Sequence, residues 1–488
     1  MNKTKEVWFI VGSQDLYGRE VLKTVYNRAN EMARFINNYA AMPVDFVFKC
    51  VIESTDGCTD IMKKANYDDK CIGVVTWCHT FSPSKMWING LKLLQKPWCH
   101  LATQYHKEVP NKEMDMDFMN LNQAAHGDRE HGFIGARLRK PRKIIAGYYK
   151  EKEVLDELCN WVRAALGYAE SQNLKVCRFG DNMRDVAVTE GDKIEAQIQL
   201  GWQVNTWPVY ELTHILDKVT DKEVDALLSQ YKAKYTLAKG IKLENVKYQA
   251  KEEIAMRKML DKIGAKAFVN TFQDLGDLKC LPGLATQDLM AQGYGYGGEG
   301  DWKTSAMVRI IKVMTQGLPG GTSFMEDYSY NLPKNKQWSL GSHMLEVCPS
   351  LANAKPIIKT SKLTIGKNPM DPARIVYEGK AGKAVVVSLI DMGGRFRIIC
   401  QDVEAIKPPL ALPNLPTARV VWKPMPNLLD GLKAWILAGG AHHTVFSYAA
   451  NADMIKDFAD MCGIEFVHIS KDTCLDCLKT NLELYDRK

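Results

Sequence analysis

The chain has 488 residues, 46% of them hydrophobic and 25% charged. These ordinary globular values exclude collagen-like, mucin-like and disordered chains, and the length asks for two or three domains instead of one. Its 64 basic and 57 acidic residues leave a net charge of +7, spread along the whole length, so neither nucleic acid nor a membrane surface is implied as a partner.

In chain order, residues 6–12 read as a strand, an apolar run too short for the core of a secretion signal. Val21, Leu22, Val25, Ala29, Met32, Ala33 and Ile36 then recur at helical spacing. Residues 44–51, 72–77 and 98–103 read as further strands, separated by helical segments near Asp60 and at 85–94. This β-α-β order is that of a parallel sheet covered by helices. The basic stretch 137–143 contains Pro141 and no aromatic for base stacking, and reads as a solvated loop. A helical pattern through Leu155, Leu158, Val162 and Leu166 follows, and the polar residues 169–173 break it. A second α/β unit begins with a strand at 174–179 and continues with helices at 221–235 and 250–263 and a strand at 267–271. Beyond the glycine-rich residues 317–321 the pattern changes to alternating β-type runs at 363–365, 384–387 and 395–399, closed by a helix around 453–461. The expected fold is two Rossmann-like parallel-sheet α/β domains, 1–174 and 175–321, followed by a mainly β C-terminal domain, 322–488.

Two motifs invite over-reading. Gly293-Tyr294-Gly295-Tyr296-Gly297-Gly298 satisfies G-x-G-x-x-G, but residues 286–292 before it are helical in pattern, whereas a dinucleotide loop needs a strand there. Thirteen cysteines run from Cys50 to Cys477, which suits reduced thiols in the cytoplasm better than a disulfide framework. Cys474 and Cys477 form a C-x-x-C after a strand-like run, with no second pair to close a zinc site.

The constellation that carries chemistry is Glu299 within Gly298-Glu299-Gly300-Asp301, Glu326, His343, and the pair His442-His443. Two carboxylates and two imidazoles make a mixed oxygen and nitrogen site suited to a divalent ion such as manganese. The spacings are non-local, so periodicity does not predict that these residues meet. Taken singly, a glutamate among glycines is usually a solvated loop carboxylate and a lone histidine a satisfied structural group.

Residues 6–18 (Glu6-Val7-Trp8-Phe9-Ile10-Val11-Gly12-Ser13-Gln14-Asp15-Leu16-Tyr17-Gly18), 80–87, 116–127 and 177–184, with the segments around Glu299, Glu326, His343 and His443, resemble L-arabinose isomerases. The likeness runs in order through nearly the whole chain. It implies a fucose isomerase-like architecture and the conversion of L-arabinose to L-ribulose, the first step of L-arabinose catabolism. It also implies one divalent metal per subunit, Mn2+, held by Glu299, Glu326, His343 and His443. Glu299 and Glu326 would be the acid-base pair of a cis-enediol path, with a metal-assisted hydride shift as the rival. Gln14, Leu16, Phe81, Gln123, His126, Met183, Phe272 and Met344 would line the sugar pocket, His126 entering from a neighbouring subunit of a cytoplasmic homohexamer. His442 would either stand behind the ligands or touch the sugar, and would not itself hold the metal. A weaker conversion of D-galactose to D-tagatose is expected. Asp15 departs from the family pattern, in which some members carry histidine, and fine sugar preference is open there. Without the resemblance, Leu16, Phe81, Met183 and Phe272 read as core residues. Two rivals stand beside it: an isomerase of the same fold acting on L-fucose, and a non-catalytic sugar binder, which has no use for two glutamates on a metal.

Overall fold

A computed structural model describes residues 4–366 and 369–486. The chain divides into two compact units. The first runs to Ala169 and takes in Lys456–Gly463, and the second comprises Glu170–Ile455 and the residues from Ile464 onward.

The first unit is built on five parallel strands, β1 (Glu6–Gly12), β2 (Asp45–Ile52), β3 (Cys71–Cys78), β4 (Trp98–Ala102) and β5 (Lys143–Ala146), in the order β2-β1-β3-β4-β5. Side chains alternate across a strand, and β1 divides accordingly. Val7, Phe9 and Val11 enter one core with Val25, Ala29, Met32 and Ile36 of the helix Arg19–Asn37. Trp8 and Ile10 enter the other with Cys58, Met62 and Ala65 of the helix Thr55–Tyr67. Each large aliphatic side chain so buried contributes about 1.5–3 kcal/mol.

In this unit two helices escape the sequence reading, Met116–Leu121 and Ala124–Arg137. The second carries Gly127, Gly132 and Gly135, which blunt the helical pattern because glycine disfavours helix interiors. At Gly127 a Cβ would lie 2.5 Å from Cβ of Cys78, so glycine is what lets this helix approach β3. Arg137 accordingly ends a helix, and the loop expected at 137–143 is confined to the residues between that helix and β5.

In the second unit β6 (Lys175–Phe179) and β7 (Gln203–Trp207) are followed by the short β8 (Thr236–Leu237), then by β9 (Ala267–Val269) and β10 (Gly295–Gly297). All but β8 form a parallel sheet in the order β10-β9-β6-β7. The mainly β part adds β11 (Thr322–Asn331), β12 (Trp338–Ser342), β13 (Ile357–Thr360), β14 (Ala373–Val376), β15 (Gly382–Asp391), β16 (Phe396–Ile406), β17 (Val420–Pro424), β18 (His443–Ser447) and β19 (Glu465–Ile469). Seven of these run β15-β18-β11-β12-β17-β16-β19. Because β15 also pairs with β16, the first six close into an antiparallel barrel, and β19 adds to β16 in parallel. Strands β14, β13 and β8 make a separate small sheet.

The fold class is therefore the expected one, two parallel-sheet α/β layers and a mainly β part, with local corrections. Residues 363–365 form no strand: a three-residue alternation ahead of Gly366, whose φ is +72°, is too short to recruit a partner. The helix Ala452–Cys462 is present, but β19 and the helix Leu475–Tyr485 follow it and close the chain. The G-x-G-x-x-G run has the helix Gly283–Ala291 before it and its middle glycines inside β10. A Cβ at Gly295 or Gly297 would lie 2.1 Å from the carbonyl oxygen of Ser305 or Asp301. These glycines let β10 press against the helix Trp302–Met314.

All thirteen cysteines are free thiols. No helix among the described residues is long and apolar enough to cross a membrane.

Candidate active site

Strand register brings together what sequence distance separates. On β11, Glu326 is paired with His443 of β18 on one side and with Ser342 of β12 on the other, and His343 is the residue after Ser342. Phe324, two residues earlier and on the same face of β11, is fully buried, its ring edge-on to His343 and His443 at centroid distances of 4.9 and 5.0 Å.

Glu299 arrives from the turn that joins β10 to the helix Trp302–Met314. Its φ of +57° and ψ of 24° lie in the left-handed region, which costs a non-glycine residue about 1–3 kcal/mol and is held only where the surroundings enforce it. Here they do. Met183 N–H donates to the Glu299 carbonyl at 2.9 Å, and Gly300 N–H donates to that of Asn270 at 2.9 Å. The Glu299 Oε2 atom lies 3.5 Å from His442 Nε2 and 3.7 Å from His443 Nε2, and Glu326 Oε2 lies 3.9 Å from His343 Nε2.

Behind the two buried imidazoles stand two buried carboxylates that the sequence reading did not single out. His343 Nδ1 is 2.5 Å from Glu346 Oε2, and Glu346 also accepts the Leu345 N–H at 2.9 Å and the Tyr296 hydroxyl at 3.2 Å. His443 Nδ1 is 3.3 Å from Asp301 Oδ2. Asp301 also caps the helix Trp302–Met314, accepting Thr304 N–H at 3.2 Å and its hydroxyl at 2.7 Å. An ionised carboxylate only accepts, so Nδ1 carries a proton in each ring, and whenever the ring is neutral the unprotonated nitrogen is Nε2, facing Glu299 or Glu326. The nearest sequence signals were the three-residue step from His343 to Glu346 and the aspartate two residues after Glu299.

The electrostatics follow from these contacts. Burial pushes the Asp301 carboxyl up, but the Lys303 ammonium 3.7 Å away and His443 override it and bring it down to about 2. Burial also acts to raise Glu299, and its hydrogen bond with His442, with the fields of His443 and His343, holds it below the usual range. That same hydrogen bond raises His442. Burial works to lower His343, but Glu346, then Glu326 and Glu299, hold it above the ordinary imidazole range. Burial lowers His443 in spite of Asp301.

Of the other anticipated residues, Phe272 is buried with its ring centroid 6.3 Å from that of His343, and the Tyr328 hydroxyl donates to the Met344 sulfur at 3.5 Å. Gln14, Leu16, Phe81, Gln123 and His126 belong to the first unit. There Phe81 stacks on the exposed His126 ring at 4.2 Å, and the Tyr17 hydroxyl donates to Gln123 at 3.2 Å. Leu16 is 85% exposed, so core packing does not explain it.

Comparison with known proteins points the same way. Residues 1–173, 175–317 and 321–465 match the family descriptions of the L-arabinose isomerase N-terminal, central and C-terminal domains. The chain belongs to the L-arabinose isomerase family, and with it to the aldose-ketose isomerases. It is 52% identical to the L-arabinose isomerase of Flavobacterium johnsoniae, over 96% of this chain and 94% of that one. It is 50% identical to the enzyme of that name from Thermotoga petrophila, over 99% and 98%, and 49% identical to that of Yersinia pestis, over 98% and 97%.

The residues fit the divalent ion expected of an L-arabinose isomerase. The Nε2 atom of His443 is buried and has no hydrogen-bond partner among the described residues, a costly state for a polar atom unless something else uses its lone pair. Imidazole nitrogens backed by carboxylates, with two further carboxylates in front, are the usual donor chemistry of a bound transition metal. Among the described residues three donors that could hold an ion come together as Glu299, His442 and His443, whose ligating atoms lie within 4.8 Å of one another, while Glu326 and His343 lie outside that group. That group includes His442, which the resemblance did not count as a ligand.

Proposed function

We propose that this chain converts L-arabinose to L-ribulose, as a cytoplasmic homohexamer with one Mn2+ per subunit, and acts more weakly on D-galactose to give D-tagatose. The observation that carries the reading is the unpartnered, buried Nε2 of His443, fixed by Asp301 and turned toward Glu299 beside the Glu326–His343 pair. Relatives that bear the L-arabinose isomerase name, about half identical over nearly the whole chain, support the choice of sugar.

Moving a carbonyl from C1 to C2 requires that a proton leave C2 and that one reach C1, with a charged oxygen stabilised between. Glu299, held as a carboxylate by the histidines around it, and Glu326 are the proton-carrying pair of a cis-enediol path. Glu299, Glu326, His343 and His443 would hold the ion, which when bound supplies Lewis-acid stabilisation of the sugar oxygens. Asp301 and Glu346 keep the two imidazoles in the tautomer that presents Nε2, and the Phe324 ring gives the floor an apolar surface that excludes water. His442, with 37% of its side chain exposed and hydrogen-bonded to Glu299, meets the sugar. Gln14, Leu16, Phe81, Gln123, His126, Met183, Phe272 and Met344 complete the sugar contacts, with His126 supplied by a neighbouring subunit. The division of the chain at 174 and 321 belongs to the same proposal.

The test is L-ribulose formation from L-arabinose by chelator-treated protein, with and without Mn2+, beside a Glu299→Gln variant. Metal-dependent turnover that the variant loses supports the sugar and the site together. An inactive metal-restored wild type overturns the reading and returns the sugar-binding alternative.

A further inference from the structure

The strands of the first unit's sheet are parallel, so the N-terminal ends of β4 and β5 lie along one edge. Gln14 and Phe81, which follow the C-terminal ends of β1 and β3, lie along the other. At the first edge is a cleft of about 200 Å³, lined by residues 94–98 and 140–143 with Trp161, Tyr168, Asp457, Asp460 and Met461. All of these residues belong to the first unit, and none is among those proposed for the sugar or the ion.

The charges around the cleft are out of balance. Lys143 lies 3.1 Å from Asp457 Oδ1 and 3.2 Å from Glu157, and Asp460 lies 3.9 Å from Lys456. Lys96, Lys140 and Arg142 have no carboxylate partner among the described residues. The half-buried Lys140 ammonium donates to the Leu94 carbonyl. The Arg142 guanidinium donates to the carbonyls of Lys140 at 3.4 Å and Gly132 at 3.3 Å, and stands 5.7 Å from the Trp98 ring centroid. Three cations without counter-charges attract an anion.

Asp457 carries the opposite defect. Its side chain is only 3% exposed, and its Oδ2 atom has no hydrogen-bond partner among the described residues. A buried carboxylate oxygen without a donor is costly, so Oδ2 asks for a ligand that donates. An ammonium there would stand beside Lys143 and be repelled by three further cations, whereas a hydroxyl is neutral.

We propose that this cleft binds a small phosphorylated polyol, with a hydroxyl donating to Asp457 Oδ2 and the phosphate facing Lys96, Lys140 and Arg142. A phosphomonoester carries a charge of about −1.5 to −2 at neutral pH and three strong acceptor oxygens, which suits three unpaired cations better than a carboxylate does. The buried rings of Trp98 and Trp161 supply an apolar wall for the carbon chain. The volume lies below the roughly 300 Å³ at which pockets for drug-sized ligands begin, so the cleft admits a triose or pentose phosphate and is too small for a nucleotide.

The experiment is titration calorimetry of the full-length, metal-loaded protein with glycerol 3-phosphate and D-ribose 5-phosphate, beside inorganic phosphate, glycerol and D-ribose as the separated halves. The expected result is one-site binding of at least one ester, about tenfold tighter than that of inorganic phosphate. Lys96 makes no hydrogen bond or ion pair among the described residues, so Lys96→Ala breaks no such contact in the free protein. It should weaken the ester and inorganic phosphate alike by about tenfold. Asp457→Asn should weaken the ester by about the same factor and leave inorganic phosphate unchanged. No binding of either ester, or an ester affinity that either substitution leaves untouched, overturns the proposal. Equal affinity for the esters and inorganic phosphate overturns it too, because the cleft would then hold an adventitious ion only.

Discussion

Asp301 serves two structures at once, the cap of a helix and the orientation of an imidazole, and its charge can be followed through pH. Its folded value of about 2 lies below the ordinary 3.8, so folding favours the ionised form. The resulting stability, about 2 kcal/mol, is present above 3.8 and is lost as pH falls toward 2. Asp301→Asn should therefore be destabilised by about that amount at neutral pH and converge with the wild type near pH 2 in urea unfolding; a gap independent of pH would refute the charge argument. The variant should also bind Mn2+ roughly 10–100-fold more weakly in titration calorimetry, because His443 loses the acceptor that fixes its tautomer. For Glu299 and Glu326, isomerisation in deuterated water should place deuterium at C1 of the ketose. No incorporation under any condition would transfer the reaction to a hydride shift. Glu299, Glu326, His343 and His443 were singled out in the sequence, but only family likeness proposed that they share an ion, and Asp301 and Glu346 were not singled out at all. Orientation of a ring by a carboxylate depends on side-chain direction, which spacing does not encode.

At the level of elements, β1 to β4, β6 and β9 were readable because each is a short apolar run near helical periodicity, whereas β5, β7 (Gln203–Trp207) and β10 (Gly295–Gly297) were not, being short, polar or glycine-rich. Nor was the barrel. Its closure depends on pairs such as Glu326 with His443, separated by well over a hundred residues, and antiparallel register leaves no local mark. The helix Leu243–Ile263 shows a different failure of periodicity, since its apolar pattern admits the fully buried Glu252 and Glu253. Burial, then Asp288, pushes Glu253 up to about 7, although Tyr231, Arg257 and Gln292 all donate to it. With a folded value above the ordinary 4.5, the folded state binds more protons in between, so this group's contribution to stability falls as pH rises from 4.5 through 7. The full change is about 3 kcal/mol. Glu253→Gln should flatten that slope in urea unfolding across this range, and an unaltered slope would place the titration elsewhere.

For the molecule as a whole, the division into two units makes the proposed ion and the proposed sugar distinguishable. Glu299, Glu326, His343, His442 and His443 all belong to the second unit. A ligand that binds only the folded form stabilises it by RT ln(1 + [L]/Kd), about 2.7 kcal/mol at a hundredfold excess over Kd. That corresponds to roughly 100-fold slower exchange for amides that open only when the whole unit does. Adding Mn2+ to the chelator-treated protein should slow exchange in β10, β11, β12 and β18 and leave β1 to β5 unchanged. L-arabinose added afterwards should slow residues 13–18, 80–84 and 120–127, the first-unit segments that carry Gln14, Leu16, Phe81, Gln123 and His126. Equal protection of both units by the ion alone would mean that they unfold together as one cooperative body. Protection by the ion with none from the sugar in those three segments would leave the metal site standing and remove the first unit from the sugar pocket. The two ligands thus test separately the residues that strand register brings together in the second unit and the residues that family likeness alone assigns to the sugar.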